Sequence, residues 1–151
     1  MKRLASSLTF SCVEPEPITV RALYELLKNR GTSAISHLHL PSYEQHEAFV
    51  KNHPYRAWYL IRQNLEIVGS TYLTSDNVLG IFLKEPSTAL VKSTLEWVTE
   101  KYAPLPELKS LRPSYFYVNV SGENKEMIQI LESIGLPLLQ HSYRLDQYNQ
   151  E

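Results

Sequence analysis

The sequence predicts an α+β domain, because short strands joined by hairpins alternate with runs of helical periodicity. Three β-type runs, Arg56–Arg62, Ile67–Leu73 and Val78–Leu83, are separated by short polar breaks at 63–66 and 74–77. Parallel neighbours need a crossover of about a dozen residues or more, so these runs must form an antiparallel meander. Apolar residues at helical spacing before and after the meander predict the helices of the α+β fold. The predicted order is strand, two helices, three hairpin-linked strands, helix, strand, helix, strand.

The first strand is predicted at Leu8–Val13 and the first helix directly after it. Two prolines at 15 and 17 favour extended backbone in the residues before them. Thr19 is predicted to cap the N-terminus of this helix, and Gly31 is predicted to end it. Its apolar positions repeat at helical spacing: Val20, Leu23, Tyr24 and Leu27.

A second helix is predicted to begin after Ser42 and to run to about Asn52. Ser42 and Gln45 have the spacing of a capping box, in which each side chain bonds the other residue's free backbone N–H. His46 and His53 are in line with the apolar stripe formed by Phe49 and Val50.

The second half of the chain is predicted to hold two further helices and two further strands. Ser87 or Thr88 can cap a central helix that ends before Pro104. Tyr115–Val120 is rich in β-branched and aromatic residues and predicts a strand, and the helix after it ends at Gly135. The alternation at His141–Leu145 predicts a final strand.

Composition indicates one globular domain that spans residues 1–151. Apolar residues make up 43% and charged residues 21%, and the formal charge of −1 gives no field that would attract nucleic acid or a membrane surface. Cys12 is the only cysteine, which favours a reducing compartment. No segment predicts a signal peptide or a membrane span. We therefore expect a cytoplasmic protein without a nucleic-acid or membrane partner, as a monomer or a homodimer.

The stretch from Val120 to Leu136 resembles the last strand-helix unit of the GNAT superfamily of N-acetyltransferases. The family writes it roughly as V-x-x-x-N-x-x-A-x-x-x-Y-x-x-x-G-F. Val120, Asn124, Gly135 and Leu136 fit this pattern, Met127 takes the small-residue position, and Leu131 stands at the tyrosine position. The Ile67–Ser70 run and the order of elements match the family as well. The resemblance implies a mixed, mostly antiparallel central sheet with helices on both faces. It also implies transfer of an acetyl group from acetyl-CoA to an amine.

The resemblance further implies where coenzyme A would bind. The family's pyrophosphate loop, Q/R-x-x-G-x-G/A, aligns with Lys84–Ala89, at the start of a helix whose dipole favours anions. Pro86 removes one N–H from this loop, and Ser87 replaces the first glycine. The predicted cofactor-binding residues are Leu83, Lys84, Ser87, Thr88, Ala89 and Asn124.

The acetyl transfer requires a base for the ammonium proton and an acid for the departing thiolate. The candidate bases are His46, Glu44 and His141, and His46 is also well suited to packing beside Phe49. Leucine at position 131 cannot donate a proton, so the acid must be another group or water; Tyr143, Tyr72 and Tyr117 are candidates by residue type.

Two classes of function remain open from the sequence. The first is an N-acetyltransferase that acts on a small primary amine; the segment 42–49 resembles one found in members that acetylate amino-sugar nucleotides. The alternative is a GNAT-fold binding or assembly module without catalysis, because both the glycine loop and the tyrosine position are altered. A third hypothesis keeps the fold with another acyl carrier in place of coenzyme A. His37 and His39 lack a third metal ligand at useful spacing, so no metal site is predicted.

Overall fold

The computed structural model describes residues 8–30, 40–146 and 148, and within them it contains one sheet and helices on both of its faces. The strands are β1 Leu8–Cys12, β2 Ala57–Gln63, β3 Glu66–Leu73 and β4 Leu79–Leu83. The helices are α1 Pro17–Lys28, α2 Tyr43–Lys51, α3 Thr88–Lys101 and α4 Lys125–Ile134.

The sheet has the order β1-β2-β3-β4, and every neighbouring pair is antiparallel. The predicted meander is therefore confirmed. Asn64 and Leu65 both have positive φ, at 51° and 74°, between the paired residues Gln63 and Glu66. A two-residue loop with positive φ at both positions matches the right-handed twist of the strands that it joins.

The two faces of the sheet are packed by different helices. On one face, Trp58 and Leu60 of β2 pack with buried side chains of α1 and α2. On the other face, Ile61 and Leu83 pack with Val91 of α3 and with α4. Successive strand residues point to opposite faces, which is why neighbouring β2 residues enter separate cores. The α+β class with helices on both faces is thus confirmed.

Helix ends follow the predicted capping residues in three of the four helices described. The Ser42–Gln45 capping box is present, with its two bonds at 3.0 and 3.1 Å. Asn124 caps α4, and Gly135 ends it with φ at 101°. The prediction for α1 is wrong: this helix begins at Pro17, because a proline at the first helical position has no N–H to leave unbonded. Gly31 lies outside the described residues.

The segment Tyr115–Val120 lies beside β4 without forming a ladder. A single parallel bridge joins Val78 to Tyr117, and the Leu79 N–H donates to the Tyr117 carbonyl at 2.8 Å. Phe116 and Val118 pack into the core under α3. The predicted strand is therefore represented by one bridge at the start of β4.

The predicted final strand at His141–Leu145 is not present. Residues 137–146 are all exposed, and Tyr143 has a relative exposure of 83%. Alternating side chains permit a strand, but pairing needs an adjacent strand edge, and none of the described residues pairs with this segment.

In the described part of the chain, no helix has the length and apolar character needed to cross a bilayer. The same residues contain no cluster of three or more histidine, cysteine, aspartate or glutamate side chains that could hold a metal ion.

Candidate functional site

A cavity of about 220 Å³ lies between the α1–α2 pair and the sheet. Its wall takes Leu26 from α1, His46 from α2, Trp58 from β2, Ser70 from β3 and Phe82 from β4. The sequence places them there because Trp58, Ser70 and Phe82 occupy the same face of three adjacent antiparallel strands. The cavity is therefore a product of the sheet register and of two helices that cover this face.

His46 is the buried titratable side chain of this cavity, with a relative exposure of 3%. Its Nε2 lies 2.9 Å from the carbonyl oxygen of Val20, which can only accept. Nε2 therefore carries the hydrogen, and Nδ1 of the neutral ring keeps a free lone pair. Burial lowers the pKa of His46 despite this hydrogen bond, so the neutral base is favoured near pH 7.

Tyr55 forms an aromatic wall with Tyr72 on the sheet. The rings stack with centroids 4.1 Å apart, and burial is the main cause that raises the pKa of Tyr55 to about 12. Gly80 makes room for this pair, because a Cβ there would lie 2.1 Å from the Tyr72 ring. The Tyr55 hydroxyl consequently stays protonated at physiological pH.

Trp58 carries a polar group that has no partner among the described residues. Its side chain lines the cavity, its relative exposure is 8%, and the buried indole N–H has no hydrogen-bond acceptor. The ring makes edge contacts with Phe49, His53 and Tyr55 at centroid distances of 5.8, 5.0 and 5.0 Å. A buried donor without an acceptor costs about 1–3 kcal/mol of stability.

The N-terminus of α3 follows β4 directly and presents free backbone donors. The Ser87 hydroxyl accepts from the Leu90 N–H at 3.1 Å and caps the helix. The N–H groups of Thr88 and Ala89 have no acceptor among the described residues. These donors and the helix dipole suit an anion such as a phosphate. Lys84, at the exposed end of β4, adds positive charge.

The outer edge of β4 is open beyond its bridge to Tyr117. The Leu79 N–H points outward to Tyr117, so the main-chain groups of Ile81 and Leu83, two and four residues further on, point the same way. Lys84 instead donates to Val68 of β3, on the inner side. No described strand pairs with β4 along this outer stretch. It therefore offers amide donors and acceptors next to the α3 N-terminus.

The other predicted site residues lie apart from the cavity. Glu44 is exposed in the first turn of α2; residues two apart on a helix face different sides, so it does not share the cavity with His46. Tyr143 is exposed in the C-terminal segment. Asn124 uses Oδ1 to accept from the Met127 N–H, which caps α4.

Sequence reasoning missed the aromatic wall of the cavity: Tyr55, Trp58 and Phe82 were not among the predicted site residues. The signal that could have revealed Trp58 and Phe82 is their placement on strands predicted to pair. Because the pairing register was unknown, nothing in the sequence showed that they share one face with Ser70.

The fold is similar to solved acetyltransferase structures. A ribosomal-protein-alanine N-acetyltransferase from Brucella melitensis biovar Abortus 2308 superposes with a TM-score of 0.63 at 11% identity, over 91% of this chain and 98% of that one. RimL, a ribosomal L7/L12 alpha-N-protein acetyltransferase in complex with coenzyme A, gives 0.61 at 15% identity, over 88% and 81%. The aminoglycoside N-acetyltransferase AAC(6')-Iy, in complex with CoA, gives 0.57 at 13%, over 95% and 98%.

These similarities show that the chain has the GNAT fold of N-acetyltransferases. No protein-family profile matches the sequence, and no functionally curated protein matches it at the sequence level. The resemblance inferred from Val120, Asn124 and Gly135 is thereby confirmed at the level of fold.

Proposed function

We propose that this protein is an N-acetyltransferase that moves an acetyl group from acetyl-CoA to a small primary amine. The observation that carries the proposal is the junction of β4 and α3. There the open edge at Ile81 and Leu83 meets the free N–H groups of Thr88 and Ala89. The pantetheine arm of coenzyme A contains amide groups that suit a strand edge, and its pyrophosphate suits a helix N-terminus.

The chain's own residues then have separate tasks. Ser87, Thr88 and Ala89 would hold the pyrophosphate, with Lys84 nearby, and Leu83 would bond the amide arm through its main chain. His46 would accept the ammonium proton at Nδ1, because Nε2 is committed to Val20. Acetyl-CoA would supply the thioester: the amine nitrogen would bond the acetyl carbon, the carbon–sulfur bond would break, and the second proton that the nitrogen loses would pass to the thiolate.

The other site residues predicted from the sequence have less structural support. Glu44 and Tyr143 stay predictions for base and acid, and both are exposed outside the cavity. Asn124 would reach a cofactor only through its Nδ2, because Oδ1 caps α4. An amino-sugar nucleotide stays a predicted acceptor, as do the cytoplasmic location and the monomeric or homodimeric state.

The proposal is tested by thermal melting with and without acetyl-CoA. A ligand that binds only the native state raises the stability by about 2.7 kcal/mol at one hundred times its Kd, so we expect a rise of several degrees. Ser87→Asp should abolish the rise, because a carboxylate at the α3 N-terminus competes with the phosphates. Ser42→Asp is the matched control: it makes the same change at the cap of α2, where aspartate also caps well.

An absent shift with wild-type protein at millimolar acetyl-CoA would contradict the proposal. If Ser42→Asp and Ser87→Asp lost the acetyl-CoA-induced rise in melting temperature equally, the added negative charge, and not its position at the α3 N-terminus, would be the cause of that loss.

The alternative function is a GNAT-fold binding or assembly module without catalysis. Two observations favour it: Pro86 removes a donor from the loop, and Leu131 packs in the core on the α3–α4 face without any proton to donate. Product formation separates the two functions. Coenzyme A binding without acetylation of any amine in a broad panel would support the binding module.

A further inference from the structure

The side chain of Tyr72 reaches from β3 across to β4, the strand with the open edge. Tyr72 pairs with Gly80 of β4 and is on the same face of the sheet as Ser70 and Phe82, which line the α1–α2 cavity. A Cβ on Gly80 would lie 2.1, 2.3 and 2.6 Å from the three ring carbons at the hydroxyl end of Tyr72. The ring therefore crosses to β4, and its hydroxyl lies over that strand.

Tyr55 holds this ring in place and connects it to the cavity. The two rings stack with an angle of 8° between their planes, and Tyr55 itself lines the cavity. Burial first, and then the neighbouring Tyr72 hydroxyl, raise the pKa of Tyr55 to about 12, so Tyr55 keeps its proton at neutral pH. Its hydroxyl can therefore donate a hydrogen bond to a Tyr72 oxygen that has given up a proton.

The open edge of β4 is closed at one end, which limits how far a ligand can extend along it. The Leu79 N–H donates to the Tyr117 carbonyl, so the free outer groups are those of Ile81 and Leu83. Coenzyme A carries two amides between its pyrophosphate and its sulfur. With the pyrophosphate at the α3 N-terminus, the amides would pair first with Leu83 and then with Ile81. The sulfur would follow beside Gly80.

This position of the sulfur favours Tyr72 among the tyrosines that the sequence left as candidate acids. A ligand strand beside β4 would lie about 4.8 Å from it, within reach of a hydroxyl that lies over β4. Tyr143 has a relative exposure of 83% in the C-terminal segment. Tyr117 is at the closed end of the edge, and within the described part of the chain no hydrogen bond or ring contact fixes its side chain.

Building on the proposed function, we propose that Tyr72 is the general acid of the acetyl transfer. As the carbon–sulfur bond breaks, the Tyr72 hydroxyl gives its proton to the departing thiolate, and the second proton of the amine nitrogen restores the hydroxyl. The first proton of the nitrogen goes to Nδ1 of His46. The products are an amide, the thiol of coenzyme A and a protonated His46. The proton donor is thus on β3, while leucine occupies position 131 of α4.

The first experiment measures thiol release from acetyl-CoA with the fastest-reacting amine of a panel of primary amines. Tyr72→Phe keeps the ring and removes the proton, so kcat should fall at least about one hundredfold. The rise in melting temperature with acetyl-CoA should persist, because this proton moves only during the reaction. Tyr102→Phe is the control: it removes a hydroxyl that hydrogen-bonds Tyr59 on the opposite face of the sheet, and it should keep the wild-type kcat. A wild-type kcat in Tyr72→Phe, or a loss confined to Tyr117→Phe, would overturn the proposal.

The second experiment separates proton donation from packing. The pH dependence of kcat/KM reports the essential acid and base of the free enzyme. The wild-type kcat/KM should fall at alkaline pH, because the acid must hold its proton to protonate the thiolate. Tyr72→Phe should lack this alkaline decline, whereas Tyr102→Phe should retain it. A decline that persists in Tyr72→Phe, or that is absent from the wild type, would overturn the proposal.

The failure of this proposal is distinguishable from the failure of the proposed function. If the wild type binds acetyl-CoA and acetylates an amine, and Tyr72→Phe does so equally well, the assignment of Tyr72 alone is overturned. If the wild type releases no thiol with any amine of the panel, the acetyl transfer fails and the assignment of Tyr72 fails with it.

Discussion

At the scale of single residues, His46 has both a structural and a proposed chemical role. Its ring joins α2 to α1 through the bond to the Val20 carbonyl, and it lies near the rings of Tyr24 and Tyr43 at 5.2 and 6.2 Å. The sequence left packing and catalysis as alternatives for this residue. The two roles are compatible, because the structural bond uses Nε2 and leaves Nδ1 for a proton.

The lowered pKa of His46 predicts an acid-dependent loss of stability. The unfolded chain takes up a proton near the ordinary value of 6.5, whereas the folded state resists protonation because the ring is buried. The free energy of unfolding should therefore fall as the pH drops below about 6.5. His46→Gln keeps an N–H for Val20 and removes the titration, so its urea-unfolding free energy should fall less between pH 7.5 and 5.5.

Two other histidines serve as comparisons in that measurement. Burial also lowers the pKa of His53. The unfolding free energy of His53→Gln should therefore fall less with pH than that of the wild type, and the variant that carries both His46→Gln and His53→Gln should show the smallest fall. His141→Gln, at an exposed position, should follow the wild type. If the unfolding free energy of His46→Gln fell as much as that of the wild type between pH 7.5 and 5.5, the acid sensitivity would belong to other groups.

At the scale of elements, Asn77 holds the turn between β3 and β4 against the chain that follows α3. The residue is fully buried at 0% exposure and adopts a positive φ of 70°. Its Oδ1 accepts from the Leu105 N–H, and its Nδ2 donates to the carbonyls of Leu105 and Pro113. Its own carbonyl accepts from the Tyr117 N–H, which positions the single bridge beside β4.

Asn77→Ala should destabilise the fold by about 3 kcal/mol, because it removes three hydrogen bonds to backbone groups of Leu105 and Pro113, which are part-buried. Alanine at positive φ adds roughly 1 kcal/mol of strain. Asn77→Gly removes the side chain without this strain, so it should be about 1 kcal/mol more stable than Asn77→Ala in urea unfolding. Equal stability of Asn77→Ala and wild type would show that these bonds contribute little.

The elements also show what the sequence could predict. The meander, the capping box at Ser42 and the stop at Gly135 depend on neighbours in the sequence, so local patterns were sufficient. The final strand at His141–Leu145 failed because a strand requires a partner edge, and that partner is set by tertiary structure. The cavity was missed for the same reason, since Trp58 and Phe82 meet only through the register of the sheet.

At the scale of the whole molecule, α4 is the last element of the described residues that packs into the domain. Residues 137–146 are exposed, among them the large apolar side chains of Leu138, Leu139 and Leu145 at 68, 56 and 78%. Truncation after Leu136 should therefore lower the melting temperature by less than about 3 °C, the shift that about 1 kcal/mol produces in a domain of this size. Differential scanning calorimetry checks this, and a larger drop would show that the segment packs against this chain or a second copy.

The open edge of β4 is also a place where a strand of another chain could pair. Unpaired strand edges template pairing with other chains, and long flat edges lead to aggregation. Here the free stretch is short: the bridge to Tyr117 occupies its beginning, and Pro86, three residues after Leu83, offers no N–H to a foreign strand. The edge can thus accept a short amide chain while remaining too brief to nucleate an intermolecular sheet.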